Sequence, residues 1–166
     1  MKGYIGRGQR APSGRVIAMR SSRVLAKLRR GELANCFKIN IESSRVVELA
    51  GMLDFDCVWL DSEHGSSDWS LLERQILASK VYNMDALVRI PRGGYSDYIR
   101  PLELDATGIM VPHVMSRKEA EYVARTTRFH PLGRRPADGG NADGAYCNIP
   151  FKDYIKQANR ERFVMI

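Results

Sequence analysis

The stretch CVWLDSEHGSSDW, residues 57–69, brings two carboxylates and an imidazole to the end of an apolar run: Asp61, Glu63 and His64. A carboxylate beside an imidazole raises its proton affinity and fixes its tautomer, which makes His64 a candidate general base. A second apolar run, ALVRIP, carries Arg89. A guanidinium on a buried strand is costly, on the order of several kcal/mol, unless an anion meets it. That anion is either Asp61 or Glu63 in a structural ion pair, or a carboxylate or enolate of a substrate, which the planar fork of arginine suits in bidentate fashion. A third run, GIMVPHV, delivers His113. A histidine after an apolar run is ordinarily a hydrogen-bonded structural residue, and His113 and His130 are read that way.

These groups meet only if the runs that carry them are neighbouring parallel strands. From residue 21 the chain alternates between amphipathic helix-like segments and short apolar runs rich in β-branched residues, the pattern of a parallel α/β fold. The spacing predicts a short helix in SSRVLAKLRRGE and a strand over residues 35–40. A helix follows with Val46, Leu49, Ala50 and Leu53 on one stripe, then the strand CVWLD. A third helix is capped by Asp68, and the strand ALVRIP follows it. A Gly-rich loop and a helix interrupted near Pro101 lead to GIMVPHV, and a helix with a Ser116–Glu119 capping box follows. Residues 130–150 form a long Gly, Pro and Asp-rich loop without apolar period, and FKDYIKQANR and RFVMI supply a last helix and a fifth strand. In such folds functional groups gather at the carboxyl ends of the strands. Five βα repeats make either an open doubly wound sheet or part of a barrel. Ile166 follows the fifth strand with no helix to cover it, so the expectation is an incomplete (β/α)8 TIM barrel of about five parallel βα units, a whole barrel taking roughly 250 residues.

Composition narrows the class. Of 166 residues 44% are hydrophobic and 27% charged, as in a globular protein. The net charge of +7 is local: residues 1–30 hold nine Lys or Arg and no acid, and the other 136 hold 17 basic and 19 acidic side chains. Residues 1–20 are read as a basic extension without fixed structure and residues 21–166 as the folded domain. No interleaved aromatics accompany the basic arm, so no nucleic-acid partner is expected. Nor is a membrane, since no stretch approaches the ~18 apolar residues of a span and no apolar signal core is present. The expected location is the cytoplasm. Cys36, Cys57 and Cys147 are far apart and read as core thiols, with neither a disulfide framework nor a Cys-rich zinc site.

FDCVWLDSEHG, LVRIP, GIMVPHV with the following SRKEAEYVARTTRFHPLGRR, and the terminal RFVMI together resemble the HpcH/HpaI family of metal-dependent class II pyruvate aldolases, over Ser22–Ile166. The resemblance implies a (β/α)8 barrel assembling into oligomers, commonly hexamers. It implies an aldehyde-lyase cleaving 2-oxo-4-hydroxy acids to pyruvate and an aldehyde. His64 would then take the proton of the substrate 4-hydroxyl and Arg89 would stabilise the enolate. An acid ahead of the fourth strand would tune the histidine, at Glu103 or, in a shifted register, Asp105. Arg135 aligns with a loop arginine of the family and would touch the aldehyde half of the substrate. The family also implies a divalent metal, magnesium or manganese with cobalt as a further candidate, on a Gln-x-Glu glutamate and a later aspartate. Those carboxylates are expected beyond Ile166, so the chain is read as an N-terminal portion, inactive by itself. The rival expectation is a non-catalytic truncated barrel acting as a scaffold or partner-dependent subunit.

Overall fold

The computed structural model describes residues 17–166. Five parallel strands, β1 (Cys36–Ile39), β2 (Cys57–Asp61), β3 (Asp85–Arg89), β4 (Gly108–Met110) and β5 (Phe163–Met165), form one sheet in sequential order. Helix α1 (Arg23–Arg29) precedes β1. Helices α2 (Ser44–Met52), α3 (Trp69–Val81) and α4 (Tyr95–Glu103) make the first three crossovers, and α5 (Arg117–Thr127) with α6 (Phe151–Glu161) makes the fourth. A doubly wound sheet reverses its strand order at a switch point, and this one does not. The fold is α/β, a five-strand part of a (β/α) barrel.

Strand alternation divides the sheet into two faces. Ile39, Val58, Leu60, Ala86, Val88 and Ile109 face the helices and join Val47, Ala50, Leu72, Ile76, Leu102 and Val123 in the main core. The opposite parity gives the concave face, and the register stacks it in layers. Cys36, Cys57 and Asp85 are partners at the amino ends; Lys38, Trp59, Leu87, Gly108 and Phe163 follow; Asp61, Arg89, Met110 and Met165 come last. Layers of inward side chains are the barrel arrangement. The concave face carries four charged side chains, Lys38, Asp61, Asp85 and Arg89.

Local detail departs from the sequence expectations in four places. In α2 the buried side is Val47, Ala50 and Gly51, while Leu49 and Leu53 are exposed. The expected stripe is therefore out of phase, because Gly51 lets α2 approach Tyr82 so closely that a Cβ there would lie 2.9 Å from that side chain. Helix α4 runs through Pro101 without a break. Pro101 lies in the last turn, where few intrahelical bonds remain to be lost, and Leu104 N still donates to Arg100 O at 3.0 Å. Cys57 is buried, but Cys36 and Cys147 are exposed. Cys36 lies on edge strand β1 and Cys147 in a loop, so only one of the three is a core thiol.

The fourth concerns the amino terminus. Residues 1–16 of the expected extension lie outside the described residues. Residues 17–20 belong to the packed body: Met19 is buried, with Phe129, Ile149, Tyr154 and Ala158, and Arg20 donates to Met84 O and Thr107 Oγ1 at 2.8 and 3.1 Å. Ser22 caps α1 by accepting from Leu25 N, and it donates to Asp85 Oδ2 at 2.6 Å. Polar bonds thus tie this segment beneath β3 and β4. Among the described residues no helix is long and apolar enough to cross a membrane.

The long loop of residues 130–150 is held together by charge. Arg135 donates to Asp143 Oδ2 at 2.6 Å, with both side chains 1% exposed, and its guanidinium lies 4.5 Å from the ring of Phe129. Tyr154 Oη of α6 donates to the same carboxylate oxygen at 2.7 Å. Burial, together with this acidic neighbour, pushes the Tyr154 hydroxyl far above its ordinary range. A loop without apolar periodicity has a buried ion pair as its own small core.

Candidate active site

Asp61 ends β2, Arg89 ends β3, and the parallel register makes them direct partners. Arg89 Nε donates to Asp61 Oδ1 at 2.9 Å and its Nη2 to Oδ2 of the same carboxylate. Asp61 also organises the turn beyond the strand: Oδ1 accepts from the amides of Glu63 and His64 at 3.1 and 3.3 Å. Ser62 N and Oγ donate to Arg89 O, each at 2.8 Å, tying this turn to β3. Gly65 completes it, because a Cβ there would press into the Asp61 carbonyl oxygen. Burial opposes ionisation of Asp61, but the bonds from Arg89 and the two amides outweigh it and hold its carboxyl well below the ordinary range. The hydrogen bond to Asp61 holds the Arg89 guanidinium above its ordinary value.

Glu63 is the junction of the site. Its Oε2 lies 3.3 Å from Arg89 Nε and 3.6 Å from His64 Nε2, and its Oε1 lies 3.4 Å from His113 Nε2. The two partners weighed for Arg89, Asp61 and Glu63, are both in use. His113 leaves β4 with φ +55°, a backbone twist that turns its ring toward Glu63. The His64 side chain is 70% exposed and that of Arg89 17%. A cleft of about 350 Å³ opens here, lined by Lys38, Asn40, Asp61, His64 and Arg89 among others. An imidazole with solvent access and a guanidinium therefore face one cavity, one to move a proton and the other to meet negative charge.

Other residues singled out in the sequence lie elsewhere. Glu103 ends α4 in a separate cleft with Trp69, Arg100, Asn141 and Tyr146, where burial raises its carboxyl above the usual range. Asp105 lies at the amino end of β4, paired with Lys80 at 2.6 Å and Arg162 at 2.5 Å, beneath the sheet. Within one chain the carboxylate at His64 is Glu63, which precedes it in sequence. Arg135 faces Asp143 inside its own loop and does not line the His64 cleft. Sequence reasoning also passed over Lys38, whose Nζ is 3.4 Å from Asp61 Oδ2. The signal was present: residue 38 has the strand parity that points into the cleft, but only the register with Trp59 reveals it. Among the described residues no group of three or more His, Cys, Asp or Glu side chains is placed to hold a metal ion. The two rim carboxylates already face Arg89, so these side chains alone do not fit the divalent cation that the resemblance implies.

Known proteins resemble this chain in sequence and in fold. The 5-keto-4-deoxy-D-glucarate aldolase of Klebsiella pneumoniae subsp. pneumoniae is 28% identical over 131 residues, 79% of this chain and 49% of that protein. The hydroxypyruvate/pyruvate aldolase of Roseobacter denitrificans is 32% identical over 97 residues, 58% of this chain and 38% of that one. The chain spans about half the length, or less, of these curated relatives. The crystal structure of an HpcH/HpaI aldolase from Desulfitobacterium hafniense DCB-2 superposes with a TM-score of 0.80, over 89% of this chain and 56% of that one, at 23% identity, a likeness of fold. Residues 36–165, from the first residue of β1 to the last of β5, match one family model, and the chain belongs to the HpcH/HpaI aldolase/citrate lyase family.

Proposed function

We propose that this chain carries the base and the enolate-stabilising cation of a class II pyruvate aldolase, which cleaves 2-oxo-4-hydroxy acids to pyruvate and an aldehyde. The observation that carries the reading is that His64 and Arg89, from adjacent strands, line one cleft and share Glu63. His64 accepts the proton of the 4-hydroxyl. The C3–C4 bond breaks as C4 becomes the aldehyde carbonyl, and the electron pair passes through C3 to the C2 oxygen. Arg89 faces that oxygen and stabilises its charge, in a cleft whose donors are fixed beforehand by Asp61. Protonation at C3 completes pyruvate. The described side chains alone do not fit a divalent metal; one bound by the whole protein would supply Lewis acidity. Glu63 orients His64 in this reading.

The test is pyruvate release from a panel of 2-oxo-4-hydroxy acids, with and without magnesium or manganese, read through lactate dehydrogenase and NADH. His64→Ala should lose at least about 100-fold in kcat, the usual contribution of a general base. Silence of the whole protein on every such acid, or a His64→Ala rate equal to the parent, ends the proposal.

A further inference from the structure

A 2-oxo acid in the act of cleavage bears two negative groups, its carboxylate and the oxygen that becomes the enolate. Arg89 is poorly placed to serve both, since its Nε and Nη2 are held by Asp61 and its Nε is shared with Glu63. Arg135, the other arginine expected to touch substrate, is enclosed with Asp143. Lys38 is differently placed. It lines the His64 cleft from β1, and its side chain is 38% exposed. Its one ionic contact among the described residues, 3.4 Å to Asp61 Oδ2, is longer than a good hydrogen bond and leaves its donors available. Its ammonium lies 5.0 Å from the centroid of the Trp59 ring, against which Arg89 also stands, at 5.2 Å. Trp59 and Asp61 thus fix two cations side by side, and Glu42, a further carboxylate lining the cleft, is turned to Ser66 Oγ.

We propose that Lys38 is a second anion-binding residue of this site, gripping the carboxylate of a 2-oxo acid while Arg89 faces the oxygen that becomes the enolate. This rests on the aldolase reading and adds a specificity residue to it. A strand lysine on the concave face, beside a tryptophan and a carboxylate, then has a chemical reason: an ammonium is a compact charge that a substrate carboxylate can share with Asp61. An oxo acid whose carboxylate is esterified or amidated would lose this contact and bind weakly.

The probe is oxalate, a planar dianion resembling pyruvate enolate, titrated calorimetrically at constant ionic strength. Lys38→Met, which keeps the unbranched apolar stem and removes the ammonium, should weaken oxalate by about tenfold or more, and Lys38→Arg should stay within about threefold of the parent. His64→Ala should bind oxalate like the parent while losing turnover. Near-ultraviolet circular dichroism, sensitive to Trp59, verifies that the variants keep their packing. Equal oxalate affinity in Lys38→Met and parent, or no oxalate binding by the parent, overturns the proposal even if pyruvate release is intact. Oxalate binding that depends on Lys38 supports the anion site, and if no 2-oxo-4-hydroxy acid is cleaved, it is the aldolase reading that fails.

Discussion

Removing Asp143 should unfold the long loop from within. Asp143→Ala leaves the Arg135 guanidinium, 1% exposed, without its counter-ion. It also takes away the acceptor of Tyr154 Oη, at 2.7 Å, and of Gly144 N, at 2.9 Å. Breaking a buried pair by deleting one partner costs about 3–5 kcal/mol, and each orphaned hydrogen bond adds about 1 kcal/mol. The expected loss is therefore on the order of 5 kcal/mol, a large share of the roughly 5–15 kcal/mol that holds a domain together. Arg135→Met alone should lose about 3–5 kcal/mol, since it strands the carboxylate instead. The double variant Arg135→Met/Asp143→Leu should recover to within about 2 kcal/mol of the parent, because an apolar pair of similar volume replaces two buried charges. Urea unfolding followed by circular dichroism reads all three. If either single variant loses less than about 1 kcal/mol, or the double is no better than the singles, the loop is not held by this pair. The same series decides what Arg135 does in turnover. A loop-holding residue lets the double variant regain its KM, whereas a substrate contact would leave KM raised in every variant lacking Arg135.

Three further outcomes follow from the rim and the underside of the sheet. The folded-state carboxyl of Asp61 is depressed below its unfolded value, so its stabilisation is fully present above the unfolded value and is lost progressively as pH falls from there toward the depressed folded one. Asp61→Asn should be less stable than the parent at neutral pH, and the gap should close on acidification below about pH 4, read by unfolding at stepped pH. Gly65→Ala drives a Cβ into the Asp61 carbonyl and must move the turn that carries His64, so kcat should fall about tenfold or more with secondary structure unchanged by circular dichroism. Asp105→Asn breaks the ionic part of its pairs with Lys80 and Arg162 and should cost about 3 kcal/mol in unfolding, leaving the pH dependence of kcat where it was.

Much of the architecture is legible from where apolar runs stop. Asp61 and Arg89 close two such runs, and parallel pairing of neighbouring strands then makes them meet. Less legible is anything that depends on rotation or distant pairing. In α2 the adjacent Val46 and Val47 support two stripes, and only the contact of Gly51 with Tyr82 selects between them. Arg135 and Asp143 are eight residues apart in a segment with no period, so no pattern announces that they neutralise each other. Glu63 is visible in the motif, but its reach to both histidines depends on the left-handed backbone of His113, which sequence leaves open. Lys38 needed both strand parity and register to be noticed.

The pairing of Asp61 with Arg89 on one rung of the sheet separates two kinds of inheritance. In the proposed reaction the charge-neutralising Arg89 is anchored by backbone pairing between two central strands, whose register an insertion within either strand would break. The loop around residues 141–146, which lines a separate cleft, carries no such restriction. On the proposed aldolase reading, a lineage can lengthen, trim or recolour that outer loop to suit a different aldehyde without retuning Arg89. Diversification within such a scaffold should then be written in loop length and loop charge, while Asp61 and Arg89 keep one rung of two neighbouring strands whatever the length of the crossover between them.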